Sequence, residues 1–334
     1  MFEESPNSMA IWNYFDKKFG QLIAPIGLAK ACGVLSSQLA YERYSANIFT
    51  VAPTRQFKSI TSTDASKVFP KSYSIDLGSD FTIFDIYEHH GRGKNGIHKK
   101  CLMINDATVL FASKGKKSKD RLVGALGELI SDGAYRYGDR LSQFTLKGRV
   151  SVIMNMTFES YNQYSKMLLG SSFLERFLTL FYAMPWKEQY NFMKEKEKRV
   201  KFSWKDFKPD KILFKRRISK SEFLGELTEI ASTVACLSMK SFAGTDDQLK
   251  SLASAHAALN SREKLIEEDV FFIKSLVPYF SNPFAPNESK IVRLAQEGRS
   301  QKDICLLLDK DPETYQPYVS KVIKIAKERG LVSI

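Results

Sequence analysis

The sequence lacks every cysteine arrangement that would cross-link a small fold or hold a structural zinc ion. Its four cysteines are scattered and form no CxxC pair: Cys32, Cys101, Cys236 and Cys305. This spacing excludes a disulfide framework and a zinc ribbon, and it is typical of a reducing compartment. No apolar run approaches the ~18 residues of a membrane span, and the N-terminus MFEESPNSMA is too polar for a secretory signal. We therefore expect a cytoplasmic protein without a membrane partner.

Common hydrolase signatures are also missing, since the chain has no GxSxG, no HExxH and no Cys–His pair at a catalytic spacing. What it has is positive charge: 50 Lys and Arg against 37 Asp and Glu give a net charge of +13 over 334 residues. The hydrophobic content of 43% indicates a globular chain, and its length is sufficient for two or three compact units. The excess charge favours a polyanionic partner, although charge alone does not separate DNA from RNA or a membrane surface.

Short apolar runs alternate with helical patterns over the first half of the chain. Runs rich in β-branched and aromatic residues predict strands at 47–52, 81–87, 101–105 and 149–154. Apolar residues at helical spacing predict helices within 9–44 and at 120–131. This alternation favours an α/β fold with a parallel sheet.

The second half has a different composition. Residues 187–220 contain 13 Lys or Arg against 5 Asp or Glu, which is typical of an exposed linker or helix. Two or three amphipathic helices follow, and SNPFAPNES indicates a hinge. We divide the chain into an N-terminal helical segment (1–45), an α/β core (46–185), a basic linker (186–218), a helical unit (219–281) and a C-terminal module (285–334).

The C-terminal module has three helical patterns followed by LVSI. Ser300 is placed to cap the second helix, and Pro312 to begin the third, although Pro317 leaves a start near Tyr318 open. The module resembles a winged helix-turn-helix, whose third helix enters the major groove of DNA. That resemblance makes Lys321 and Lys324 candidate DNA-binding residues. A winged helix that binds proteins instead is the alternative.

The segment after the first expected strand resembles a phosphate-binding P-loop. A P-loop is a strand followed by GxxxxGK[ST] and a helix. Here Lys58 and Ser59 occupy the lysine and hydroxyl positions, whereas Ala52 and Phe57 replace both glycines.

Further motifs follow in the order that AAA+ ATPases show. CLMIN with Asn105 and Asp106 resembles a Walker B strand, and Asn155 ends a strand at the position of the polar sensor. SSFLERF places Arg176 where that family carries an arginine finger, and residues 244–259 resemble its helical lid. Over roughly residues 20–334 the chain therefore resembles the AAA+ family. The nearest branch is that of helicases with a C-terminal winged helix, such as minichromosome-maintenance and phage or mobile-element replicative helicases.

The resemblance implies a site for ATP and Mg²⁺ and assembly around DNA. Lys58, Ser59 and Asn105 would hold the nucleotide, with Ser59 and Asp106 at the metal ion. Asp106, Asn155 and Arg176 would be catalytic, the arginine acting on a neighbouring subunit. The implied assembly is a homo-oligomeric ring or filament, or a complex with other AAA+ subunits, on single- or double-stranded DNA.

Three departures bear on hydrolysis. Phe57 replaces a glycine whose conformational freedom the loop needs, Asn105 replaces a carboxylate near Mg²⁺, and Gly244 stands where the lid has an arginine. Two interpretations follow. Either the chain is a degenerate, non-hydrolysing AAA+ protein that binds DNA in replication or remodelling, or it is an active ATP-dependent helicase or translocase. An RNA-binding or protein-recruiting adaptor is a further alternative.

Several basic residues outside the C-terminal module are candidate nucleic-acid contacts. The expected set comprises Lys114, Lys116, Lys117, Arg136, Arg216 and Arg217. For the lysines after the Walker-B-like strand, the alternative is a solvated charge run. For the segment 133–149, which interleaves aromatic and basic residues, it is a β-hairpin packed on the core.

Overall fold

The computed structural model describes most of the chain in segments. These are residues 6–39, 44–54, 56–78, 81–91, 96–108, 111, 116–138, 143–170, 172–184, 217–281, 291, 294–295 and 298–328. Everything below refers to these residues.

The centre of the fold is a five-stranded sheet in which every neighbouring pair is parallel. Its strands are β1 (Ile48–Val51), β2 (Ser74–Leu77), β3 (Lys100–Ile104), β6 (Val150–Met156) and β7 (Leu178–Phe181), in the order β2-β3-β6-β1-β7. Strands β4 (Ala134–Gly138) and β5 (Gln143–Lys147) form a separate antiparallel hairpin. The expected α/β fold with a parallel sheet is confirmed.

Eleven α-helices accompany these strands in the described part of the chain. They are α1 (Pro6–Phe19), α2 (Ala24–Ser36), α3 (Lys58–Lys67), α4 (Ile83–Ile86), α5 (Lys116–Asp132), α6 (Phe158–Gly170), α7 (Leu224–Ser238), α8 (Phe242–Leu259), α9 (Glu267–Leu276), α10 (Gln301–Leu307) and α11 (Pro312–Glu328). In this part of the chain, no helix combines the length and apolar character that a membrane span requires.

Hydrophobic residues cover both faces of the sheet. Alternate residues of β1 point to opposite faces, so Ile48 joins one core and Phe49 the other. The first core contains α1, α2 and helices α7 to α9, and the second contains α5, α6 and the hairpin. The chain crosses from β1 to the edge strand β2 and then returns in the opposite direction. Right-handed crossovers therefore place helices on both faces.

The strand expected at 81–87 is wrong, because this segment is helical. Thr82 caps α4: its hydroxyl accepts a hydrogen bond from the Asp85 N–H at 3.2 Å, and the Asp85 carboxylate accepts one from the Thr82 N–H at 2.6 Å. This capping box outweighs the β-propensity of FTIFDIY. The edge strand is instead β2, which the sequence reading missed together with β7.

The helical segment before β1 consists of two helices, with a turn at Gly20 between them. The two helices cross closely at Gly27, where an added Cβ would lie 2.3 Å from the ring of Phe15. Helices α7, α8 and α9 share the core of α1 and α2 rather than forming one of their own. In α8, His256 is fully buried against Phe272 and lies 2.6 Å from the Asp269 carboxylate.

The C-terminal helices α10 and α11 pack around a small core that includes Ile304 and Val319 and reaches Cys236 of α7. Ser300 caps α10 by accepting a hydrogen bond from the Asp303 N–H at 3.1 Å. Helix α11 begins at Pro312, so Pro317 lies inside it. The final LVSI lies outside the described residues.

Candidate functional site

The sheet order brings the predicted site residues to one edge. Strand β1, which precedes the P-loop-like segment, lies between β6 and β7, and β3 lies on the other side of β6. All these strands are parallel, so the segments that follow β1 and β3 and the end of β6 are neighbours at the carboxyl edge. In open α/β sheets this edge is where ligands bind.

The loop between β1 and α3 is anchored by the segment that follows β7. Gln56 is buried, and its side chain accepts a hydrogen bond from the Met184 N–H at 2.8 Å and donates one to the Met184 carbonyl at 3.2 Å. The Tyr182 hydroxyl donates to the Gln56 carbonyl. The segment after β7 therefore fixes the loop in place.

Phe57 has the backbone conformation that a glycine would adopt without strain. Its φ of 60° and ψ of 8° lie in the left-handed region, at the residue that precedes α3. The Thr61 N–H donates to the Phe57 carbonyl at 2.9 Å and is the first helical bond of α3. The N–H groups before Thr61 have no acceptor within the helix, so the loop ends in the kind of helix N-terminus that binds anions.

Lys58 folds back over this loop. Its Nζ donates to the carbonyls of Ala52 at 2.9 Å and Pro53 at 2.6 Å. Burial lowers its pKa to about 8, although the charges of Asp106 and Glu159 act in the opposite direction. The ammonium group is thus held at the loop by neutral oxygens, and a phosphate would provide a stronger counter-charge.

Oxygen atoms from β2, β3 and α3 meet beside the loop. The Ser59 hydroxyl donates to the Asn105 carbonyl at 2.7 Å, and the Asn105 side-chain amide donates to Asp76 Oδ1 at 2.9 Å. The other side-chain atom of Asn105, Oδ1, is buried without a hydrogen-bond partner, and so is the hydroxyl of Thr108. Asp106 is exposed and accepts a hydrogen bond from the Thr108 N–H at 3.0 Å.

These residues fit a nucleotide with Mg²⁺. The loop provides a helix N-terminus and a lysine for phosphate oxygens. Ser59, Asn105 and Asp106 provide the oxygen ligands that Mg²⁺ prefers, and the partnerless Asn105 Oδ1 is a buried oxygen that a metal-bound water would satisfy. No group of three or more His, Cys, Asp or Glu that could hold a metal ion occurs among the described residues. A metal ion here would accordingly depend on the nucleotide for ligands.

Asn155 lies beneath the loop rather than on its surface. It is fully buried near the end of β6, paired with Thr50 of β1. Its Nδ2 donates to the Ser62 hydroxyl of α3 at 2.9 Å, and its Oδ1 accepts a hydrogen bond from Lys30 Nζ at 3.0 Å. The predicted sensor is therefore attached to the helix that follows the loop.

Lys30 is a site residue that the sequence reading missed. It lies in α2 and is fully buried, and its Nζ also donates to the Lys58 carbonyl at 2.9 Å and to the Thr61 hydroxyl at 2.8 Å. Burial lowers its pKa well below the usual lysine value, with the charge of Lys58 as the second cause. A lysine within the apolar run of α2 was the available signal, because lysines are almost never fully buried without a partner.

Arg176 lies at the opposite, amino edge of the sheet, just before β7. Its guanidinium donates to the Ser131 hydroxyl at 2.5 Å and to the Ser172 carbonyl at 2.7 Å. It lines a cavity of about 320 Å³ together with Tyr44, Asn47 and the start of α8. It is therefore separated from Lys58 of its own chain by the length of the sheet.

The start of the lid-like helix is also at the amino edge. Gln248 of α8 donates to the Arg176 carbonyl at 2.5 Å. Lys240, four residues before Gly244 in the sequence, is buried and donates to the Phe177 carbonyl and the Thr179 hydroxyl, both at 2.5 Å. Burial lowers its pKa to about 7, partly offset by Glu175.

The nucleic-acid candidates lie in several places. The hairpin is packed on the core, as one alternative predicted: Phe144 and Leu146 are buried, and Arg136 is exposed. Lys321, Lys324 and Lys327 are exposed on α11, and Arg217 is exposed before α7. Lys116 and Lys117 belong to the first turn of α5. Lys114, Arg216 and most of the basic linker lie outside the described residues.

Comparison with known proteins assigns the chain to no family. The chain matches no protein-family model, and a search of curated proteins gave no match.

Proposed function

We propose that the chain is an AAA+-like DNA-binding protein that binds a nucleoside triphosphate at the carboxyl edge of its sheet. The observation that carries this proposal is the meeting of three predicted elements there: Lys58 with Ser59 after β1, Asn105 with Asp106 after β3, and Asn155 in β6. Phe57 adds support, because it takes the left-handed conformation at a P-loop glycine position.

The chemistry favours binding over rapid hydrolysis. Bound nucleotide with Mg²⁺ would supply the phosphoryl group and its activation. The chain would supply Lys58 and the α3 N-terminus for the phosphates and Asp106 for orienting water. Asn105 stands where the resemblance expects a carboxylate, and the side chain of Asn155 is already hydrogen-bonded to Ser62 and Lys30. Since hydrolysis depends on positioning and charge, these losses together should slow it strongly.

The DNA-binding part of the proposal rests on the C-terminal module and the net charge of +13. Helices α10 and α11 meet around a small core that also includes Cys236 of α7, and α11 has exposed lysines at 321, 324 and 327. We interpret α11 as the recognition helix of a winged helix. The lid assigned to α8 rests on the resemblance alone, since the start of α8 lies at the amino edge of the sheet, away from Lys58. The remote position of Arg176 supports assembly into a ring or filament, in which it would act on a neighbour.

Equilibrium binding of ATP with Mg²⁺, with and without DNA, tests the proposal. We expect binding that is lost in Lys58→Ala and hydrolysis far slower than binding. Hydrolysis stimulated by DNA would instead support the active helicase. If the protein binds no ATP at millimolar concentration but keeps its DNA affinity, the nucleotide-binding role is wrong. The AAA+-like fold would then serve only as a scaffold for DNA binding. A competition among duplex DNA, single strands and RNA at one salt concentration decides the polymer.

A further inference from the structure

Lys30 is buried under the phosphate loop with three oxygen partners and no carboxylate among them. The three partners are the Lys58 carbonyl, the Thr61 hydroxyl and Asn155 Oδ1, at 2.9, 2.8 and 3.0 Å. Three acceptors match the three hydrogens of an ammonium group. Two of them belong to the first turn of α3, the turn whose free N–H groups face the proposed phosphate.

A buried charge is costly unless something compensates it. None of the hydrogen-bond acceptors of Lys30 is charged, and its charged neighbour is Lys58, a second cation. When both are protonated, the two amino groups repel each other, which together with burial is what lowers the pKa of Lys30, and both bind carbonyls of the same loop and helix turn. An anion at the loop would relieve this repulsion and compensate both charges. The arrangement is therefore more stable with an anion present than without one.

We propose that Lys30 is the inner cation of the phosphate site: it binds the first turn of α3 from below and adds a second positive charge for polyphosphate. This role rests on the nucleotide-binding function proposed above. It makes Lys30 a positioning residue, because it acts through α3 and Asn155 and not by touching the ligand. It also explains why a lysine, and not an apolar residue, occupies this position in the otherwise apolar α2.

The experiment compares Lys30→Met with Lys240→Met in the full chain. Lys240 is a matched control, since it is also buried and binds one carbonyl and one threonine hydroxyl, but at the opposite edge of the sheet. Binding of inorganic phosphate, pyrophosphate and tripolyphosphate is measured by calorimetry, and thermal unfolding reports the fold of each variant. Lys30→Gln replaces Lys30→Met if the latter does not fold.

We expect Lys30→Met to weaken pyrophosphate binding by at least roughly 10- to 100-fold, which is the effect of one charge on a single opposite charge about 6–12 Å away at an effective dielectric constant near 20. The factor should increase from phosphate to tripolyphosphate because it depends on ligand charge. Lys240→Met should bind all three as the wild type does. A Lys30 variant that binds pyrophosphate normally, or loses the same factor for every anion, would overturn the role of Lys30 alone. A wild type that binds none of the anions would overturn the proposed function as well.

Discussion

The ring of Phe57 lies 5.3 Å from the ring of Phe19, centroid to centroid. The residue at the position that the resemblance assigns to a P-loop glycine is thereby packed against α1, on the side of the sheet that also carries α2 and α3. A phenylalanine at this position anchors the loop to α1, whereas a glycine would leave the loop more conformational freedom. The anchor is costly because Phe57 has a left-handed backbone, with φ of 60°, which is strained for a residue with a Cβ.

Two substitutions of Phe57 distinguish the contribution of its ring from that of its left-handed backbone. Phe57→Ala removes the ring but keeps a residue with Cβ in the left-handed region, whereas Phe57→Gly removes both. We expect Phe57→Gly to have a higher free energy of unfolding than Phe57→Ala by about 1 kcal/mol, the reverse of the usual order. Urea unfolding measures the difference. An alanine variant at least as stable as the glycine variant would contradict the left-handed conformation.

The substitution Asn105→Asp would introduce the carboxylate that the resemblance to AAA+ proteins implies at this position. Asn105 Nδ2 now donates to Asp76 Oδ1 at 2.9 Å, so the variant would place two carboxylates in contact. Without divalent ions we expect a loss of about 1–2 kcal/mol of stability from this repulsion. Mg²⁺ should restore it, and the thermal midpoint of the variant should respond to Mg²⁺ more than that of the wild type.

The double variant Asp76→Asn with Asn105→Asp is the control. It has the wild-type charge and exchanges the carboxylate and the amide. Its stability without Mg²⁺ should be close to that of the wild type. If the single variant is stable without Mg²⁺ and insensitive to it, the contact between Asp76 and Asn105 is not the one described.

The alternation of apolar runs with helical patterns predicted the α/β class, and the resemblance to AAA+ motifs implied one shared site for Lys58, Asn105 and Asp106. Parallel strands end at the same edge, so residues that follow buried strands are brought together by the fold itself. This inference needed no knowledge of side-chain packing. The hairpin at 134–147 was among the stated alternatives, because aromatic residues alternating with basic ones fit a strand with one buried face.

Other features depend on side-chain contacts that neither the apolar pattern nor the motifs specify. The polar partners of Lys30 come from α3 and β6, and the nearest of them in sequence is 28 residues away. In FTIFDIY, a local capping box decided between helix and strand, although the apolar pattern favoured a strand. Asn155 was expected as the polar sensor of the nucleotide site, but its side chain within β6 is directed toward α3. Such directions follow from the packed fold and not from the motif.

Lys240 should make stability depend on pH in the direction opposite to that of a salt-bridged lysine. Its pKa is about 7 in the folded chain because of burial, against the ordinary 10.5. Between these values the unfolded chain binds more protons, so the free energy of unfolding rises with pH. From pH 7 to 9 this contribution amounts to at most about 3 kcal/mol.

Urea unfolding at several pH values, with Lys240→Met beside the wild type, isolates this contribution. Lys30 and Lys58 have lowered pKa values in both proteins, so their contributions cancel in the difference. We expect the wild type to gain stability relative to Lys240→Met as the pH rises from 7 to 9. A difference that does not change with pH would mean that Lys240 keeps its usual pKa.

The exposed lysines of α11 give the sharpest test of DNA binding. Lys321, Lys324 and Lys327 are spaced by three residues and are exposed, while Val319 and Val322 of the same helix are buried. Each lysine that contacts a phosphate contributes about 0.9 to the slope of log affinity against log salt. Replacing all three by alanine should therefore weaken DNA binding and reduce that slope by about 2 to 3.

The matched control removes three exposed lysines from the other end of the chain, Lys17, Lys67 and Lys71. Both triple variants have the same net charge, so a general loss of charge would weaken DNA binding equally in the two. A specific role of α11 requires a lower slope in its variant alone. Equal slopes in the two variants would show that α11 is not the DNA-binding surface. The basic segment before α7, with the exposed Arg217, would then be the next surface to test, because its phosphate contacts would give the same salt dependence.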